Sequence, residues 1–197
     1  MATPMTVPAA SDAARRQPAP GELELVRQFV NTFDVESDWE GFSSPADLSA
    51  WMAKRGLLPA GRRLTEPDVE VARAFRETLR HVLAANAGHA SEPEARRRLD
   101  RIAARYPLRM RLDGGARLDA DGGRGLAPAV ARLLGTVYDA MTVGTWERLK
   151  VCRNDACQWA FYDHSRNHSG AWCTMAICGN RIKGRTFRQR HAGSAAD

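Results

Sequence analysis

Four cysteines, Cys152, Cys157, Cys173 and Cys178, are the only ones in the 197-residue chain, and they form the symmetric spacing C-x4-C-x15-C-x4-C. A thiolate is a nucleophile, a redox centre and a soft metal ligand, so two close pairs admit a tetrahedral zinc site, a disulfide framework or a redox dithiol. In the zinc arrangement each pair grips the metal from one turn of backbone, and the intervening loop carries the second pair to the other corners. Disulfides need an oxidising compartment, and the opening residues MATPMTVPAASDAARRQ lack the continuous apolar stretch of a secretory signal. A cytoplasmic protein is expected, which leaves zinc first and redox thiols next. The x4 spacing lies slightly outside the commonest zinc arrangement, so the residues around the pairs must decide.

Charge sets the cysteine region apart. Residues 1–144 hold 20 Lys+Arg against 19 Asp+Glu, whereas residues 145–191 hold 9 against 3, an excess equal to the net charge of +6 for the whole chain. Four thiolates on one zinc would lower that to about +4 and leave a cationic surface on a neutral body. The charge gathers after the last cysteine, in Asn180-Arg181-Ile182-Lys183-Gly184-Arg185-Thr186-Phe187-Arg188-Gln189-Arg190. With Asn180 as cap, this segment predicts a basic helix. At helical spacing Arg181, Arg185 and Arg188 share one face, Lys183 and Arg190 lie nearly opposite, and Ile182, Thr186 and Gln189 fall between them, toward the cysteine module. Such a helix suits a double-stranded DNA groove, both flanks meeting phosphates and one face meeting bases. The expected DNA contacts are Asn180, Arg181, Lys183, Arg185, Arg188 and Arg190, joined by Arg166 and Arg153 outside the helix. A solvated basic tail, and an internal Asp163–Arg166 ion pair, are the structural alternatives.

The residues between the pairs carry a resemblance. The segment Cys178-Gly179-Asn180-Arg181, preceded by Trp172-Cys173-x-Met175 and Phe161-x-Asp163-x-Ser165-Arg166-Asn167, resembles the CGNR zinc finger of a bacterial family named for stress-induced transcription regulation. In that family the finger follows a domain called ABATE, and Phe29-Val30-Asn31-Thr32-Phe33 with its acidic continuation is similar to that domain's opening. The resemblance implies one zinc held by Cys152, Cys157, Cys173 and Cys178, in a finger proposed to bind DNA. Physical reasoning supports the metal independently, because a module of some 45 residues has little core and structural zinc contributes about 10 to 16 kcal/mol of apparent binding energy to folding. Val151 and the aromatic-rich Gln158 to Tyr162 predict two strands of a knuckle hairpin, and Gly179 would let its amide approach a thiolate.

The elements that must hold this module are mainly helical. Residues 1–20 are read as a tail, 21–144 as a multihelical domain, 145–191 as the finger and 192–197 as a second tail. Leu23, Val26, Phe29, Val30 and Phe33 predict an amphipathic helix over 22–33. Ser44-Pro45-x-Asp47 opens a second helix that stops at Gly56, and Thr65 with Asp68 caps a third, whose apolar positions recur from Val69 to Leu83 before Gly88. Ser91 and Glu94 predict a helix over 92–105. Leu108, Met110 and Leu112 then alternate with arginines before Asp113-Gly114-Gly115, predicting a hairpin that returns over 116–118. A last domain helix is expected from Pro128 to about Met141. The fold expected is therefore mainly α with a small β-hairpin.

Nothing in the sequence assembles a catalytic site: H-E-x-x-H, G-x-S-x-G and the H-x-E of zinc deaminases are absent, and Asp121-Gly122-Gly123-Arg124-Gly125 lacks the endings of phosphate-binding loops. A four-thiolate zinc also leaves no open position, so an enzyme is not expected. His81 and His89 are read as surface or cap residues, Trp39, Trp51, Phe29, Phe33 and Phe75 as core or interface aromatics, and Asp34, Glu36, Asp38 and Glu40 as a solvated acidic group, with cation binding as the alternative. No run of about 18 apolar residues exists to span a membrane. A homodimer or a small-molecule effector would engage the N-terminal domain. Two alternatives to DNA binding stand: a zinc-stabilised module meeting an acidic partner, the chain's own acidic loop included, and a thiol-based redox sensor.

Overall fold

The computed structural model describes residues 17–89, 93–113 and 116–192. Helices α1 (Leu23–Val30), α2 (Pro45–Lys54), α3 (Glu66–Asn86), α4 (Pro93–Arg105) and α5 (Ala127–Thr142) form the body, and α6 (Asn180–Ala192) follows the cysteines. The local start signals act as the sequence predicts. Ser44 Oγ accepts from the Asp47 amide with Pro45 at the first position of α2, and Thr65 and Asp68 form a reciprocal capping box on α3. Gly56 and Gly88, just past α2 and α3, take positive φ values of 65° and 79° that favour glycine. Ser91 of the expected second box lies outside the described residues. Glu94 instead bonds Arg97 and Arg101 along the exposed face of α4.

α1 ends three residues earlier than its apolar stripe suggests. Phe33 belongs to a two-residue strand, β1 (Phe33–Asp34), paired antiparallel with β2 (Trp39–Glu40) through a turn in which Asp38 takes a φ of 53°. This hairpin overturns the solvated reading for two of its acidic residues, Asp34 and Glu40, whereas Glu36 and Asp38 are exposed. Asp34 is buried and accepts the Glu36 amide, while Glu40 takes a bidentate pair from the buried Arg76 at 2.6 and 2.7 Å. Burial opposes ionisation of Glu40, but Arg76 and the Phe42 amide outweigh it and hold its pKa below the ordinary range.

The second hairpin joins β3 (Leu108–Arg111) to β4 (Arg117–Ala120) with Leu108 opposite Ala120, so the return strand runs two residues beyond the expected 118. The loop after it binds an internal carboxylate: the Leu126 amide donates to Asp68 Oδ1 at 3.2 Å. The core joins Val26, Phe29, Phe42, Leu48, Phe75, Leu79, Leu83 and Leu133, and Trp51 packs edge-on against Phe29 and Phe42. Trp146, Leu149, Val151, Ala160 and Tyr162, all from the cysteine-bearing segment, are buried in this same core.

Among the described residues no helix is long and apolar enough to cross a membrane.

Candidate metal centre

A short turn, Trp146–Arg148, leads from α5 into β5 (Leu149–Val151), which pairs antiparallel with β6 (Ala160–Tyr162), Val151 opposite Ala160. This is the expected knuckle hairpin, and its tip holds the first cysteine pair. Cys152 donates its amide to Trp159 O, Cys157 to Asn154 O, and Gln158 takes a φ of 47° to close the turn. Cys173 precedes, and Cys178 lies within, the helical turn Met175–Gly179, which runs straight into α6.

All four sulfurs lie within 4.8 Å of one another, with Cys157 to Cys173 at 3.8 Å and Cys173 to Cys178 at 3.7 Å. A regular tetrahedron of sulfurs about 2.3 Å from a central zinc has edges of about 3.8 Å, so the cluster fits that metal. Cys152, Cys157 and Cys178 are buried against Trp159, with Trp172 and Ile177 alongside. The thiols are also coupled electrostatically. Thiol donation from Cys157 and then Cys173 lowers the Cys152 pKa to about 4, while the hydrogen bond to Cys152 raises Cys157 and Cys173. Thiolates this close repel one another, and a bound dication offsets that repulsion.

The residues that hold this cluster were mostly invisible in the sequence. Lys150, from β5, is buried and donates to Asp163 Oδ2 at 2.7 Å, His168 O at 2.6 Å and Gly170 O at 3.4 Å. Asp163 also accepts the amides of Ser165 and Gly170. Burial opposes the Asp163 charge, but the Lys150, Ser165 and Gly170 donors outweigh it and hold the pKa well below the ordinary carboxylate range. This knot shapes the loop that brings Cys173 back to the first pair. Lys150, not Arg166, is thus the partner of Asp163, and Arg166 is exposed on the loop. Asn154 donates to Cys178 Sγ at 3.6 Å. The Gly179 amide, expected near a thiolate, donates to Thr174 O instead.

Four contacts weld the knuckle to the helical body. Asn31, just past α1, donates to Ala160 O at 2.9 Å and accepts the Ala160 amide at 2.8 Å. Arg80 of α3, nearly inaccessible, bonds Gln158 O together with Val30 O and Phe33 O. Asn86 donates to Trp146 O and Leu149 O, and Arg153 donates to Ala87 O, so Arg153 is a structural anchor as well as an exposed cation. His81 and His89 are half-buried and line a cavity of about 230 Å³ beside Cys152, Asp155 and Gln158, a more internal position than their surface reading allowed.

Thr174, rather than Asn180, caps the helical segment, its hydroxyl accepting the Ile177 amide at 3.1 Å; Asn180 is already helical and exposed. Arg181, Lys183, Arg185 and Arg188 are exposed on α6, Ile182 is half-buried, and Gln189 is exposed rather than turned to the knuckle. The Arg190 side chain lies outside the described residues. Arg181 also pairs with Glu36 of the first hairpin.

Residues 148–191 match the family model described as CGNR zinc finger. Residues 23–142 match the model ABATE, described as "Putative stress-induced transcription regulator". No curated protein matches the chain.

Proposed function

Because the chain belongs to the ABATE family and closes with a CGNR zinc finger, we propose that it is a cytoplasmic DNA-binding transcriptional regulator. One structural zinc, held by Cys152, Cys157, Cys173 and Cys178, fixes the start and direction of α6. The observation that carries this reading is the juxtaposition of a tetrahedral sulfur cluster with a helix that bears no acidic residue and exposes Arg181, Lys183, Arg185 and Arg188. The DNA contacts come from these residues and from Asn180, Arg190 and Arg166. A metal enclosed by four thiolates offers no open position to a substrate, which supports a non-catalytic role.

The N-terminal domain acts as the effector-sensing or dimerisation module. A cavity of about 520 Å³ lined by Leu23, Leu118, Asp119, Arg132, Gly135 and Asp139 has room for a small molecule. Selection of bound duplexes from a random pool, with and without zinc, tests the proposal. Enrichment that depends on zinc and weakens in Arg185→Ala supports it, whereas no enrichment in any arm overturns it. The Arg181–Glu36 pair favours a second reading, a cationic module that meets acidic protein surfaces. Duplex DNA failing to compete with such a partner would point to that role.

A further inference from the structure

α6 carries a feature that a purely electrostatic role leaves unexplained. Phe187 is 62% exposed on a helix otherwise lined with cations. Phe187 is seven residues after Asn180 and three after Gly184, so the three fall within about 60° of one another around the helix axis. Asn180 is exposed, its amide nitrogen 3.5 Å from Ala176 O one turn back, and among the described residues a Cβ built at Gly184 would meet nothing nearer than Arg188 Nη1 at 3.7 Å. Among the described residues nothing therefore requires glycine there, although glycine is a poorer helix former than alanine. Lys183 flanks this neutral stripe on one side, and Arg181 and Arg188 flank it on the other.

We infer that the stripe Asn180–Gly184–Phe187 is the base-reading face of α6 and that it selects A·T pairs, the cations beside it holding the phosphates. The inference rests on the DNA-binding role proposed above. The chemistry is specific. An asparagine amide matches the N6 donor and N7 acceptor of adenine, and an apolar ring suits the thymine methyl. A glycine between them removes the side chain that would hold the backbone away from the base edges. A helix about 10 to 12 Å across fits a major groove of about 12 Å, which brings both flanks to the strands.

The test uses the full-length, zinc-loaded protein. Duplexes are selected from a random pool, and affinities for the selected and a scrambled duplex are measured across salt concentrations for wild type, Phe187→Ala, Phe187→Leu, Gly184→Gln and Arg188→Ala. Zinc content and thermal midpoint verify folding. We expect a selected core of A·T pairs. Phe187→Ala lowers the specific-to-scrambled ratio about tenfold with an unchanged salt slope, and Phe187→Leu retains most of it. Gly184→Gln raises the thermal midpoint yet lowers the ratio, an opposition that a structural role for Gly184 would not produce. Arg188→Ala weakens both duplexes alike and reduces the salt slope by about 0.9. A G·C core, or wild-type discrimination in the Phe187→Ala and Gly184→Gln variants, overturns the base-reading stripe while leaving DNA binding intact. Wild-type protein that binds no duplex overturns the DNA-binding role and the stripe with it.

Discussion

Gly170 lies against the buried carboxylate of Asp163 so closely that adding one methyl group becomes a measurement of the whole loop. A Cβ on Gly170 would sit 2.7 Å from both Cγ and Oδ1 of Asp163 and 3.0 Å from Oδ2. Asp163 has no room to give way, because Lys150 Nζ and the amides of Ser165 and Gly170 hold it from three sides. The φ of Gly170 is not left-handed, so the effect is steric rather than conformational. Overpacking costs about 1 to 3 kcal/mol, and weakening a hydrogen bond to a charged acceptor adds to it, so Gly170→Ala should cost about 2 to 4 kcal/mol. The displaced loop delivers Cys173, and binding energy at such sites is folding energy, so zinc affinity should fall between about 30- and 700-fold. Chelator competition at fixed pH reads that loss. Asp163→Ala strands Lys150 and costs about 3 to 5 kcal/mol alone. In the double variant the obstacle is gone, and the total should stay close to that of Asp163→Ala. Strictly additive losses would refute the steric account.

Three further outcomes follow from the same geometry. A fragment of residues 145–192 with zinc should show poor amide dispersion in an NMR spectrum, because Leu149, Val151, Ala160 and Tyr162 lose the core that buries them; a well-dispersed, zinc-dependent spectrum would contradict this. Glu36→Gln, which removes the ion pair between Glu36 and Arg181, should tighten duplex binding up to about fivefold and steepen its salt dependence, within the value of an exposed ion pair; weaker binding would count against the competition. The depressed Asp163 pKa contributes stability that is present above the ordinary carboxylate value of about 3.9 and is lost as pH falls through the folded value. The gap in thermal midpoint between wild type and Asp163→Asn should therefore be flat from pH 8 to 5 and narrow only in more acid solution. A gap that changes within pH 5 to 8 would show that another group titrates.

What the sequence made legible was local. Ser44, Thr65 and Asp68 act within one turn of their own helices, and the cysteine spacing encodes two bites of one metal, so both could be read without the fold. Phe33 misled because its spacing from Phe29 continues the helical stripe, while the two-residue strand that claims it is too short to leave a period. Asn180 misled in a similar way. It is a good cap in isolation, but the helical segment had already begun at Thr174, which lacks the following acidic residue of a capping box. Lys150, Asn31 and Arg80 look like surface polar residues. The partners of Asn31 and Arg80 lie far along the chain, Ala160 at 129 positions and Gln158 at 78, and no local pattern announces a pairing at that range; those of Lys150 lie 13 to 20 residues on, still beyond any helical or strand period.

The reciprocal bonding of Asn31 with Ala160 and the burial of β5 and β6 in the common core also bear on inheritance. The two family matches leave only residues 143–147 between them, too short a connection for either part to find a new orientation. A finger copied onto another protein would arrive without the asparagine and arginine side chains that complete its backbone bonding. Recombination that separates the two segments should thus yield chains selected against, and the finger should travel through genomes together with the helices that carry Asn31, Arg80 and Asn86. It behaves as a graft rather than a cassette.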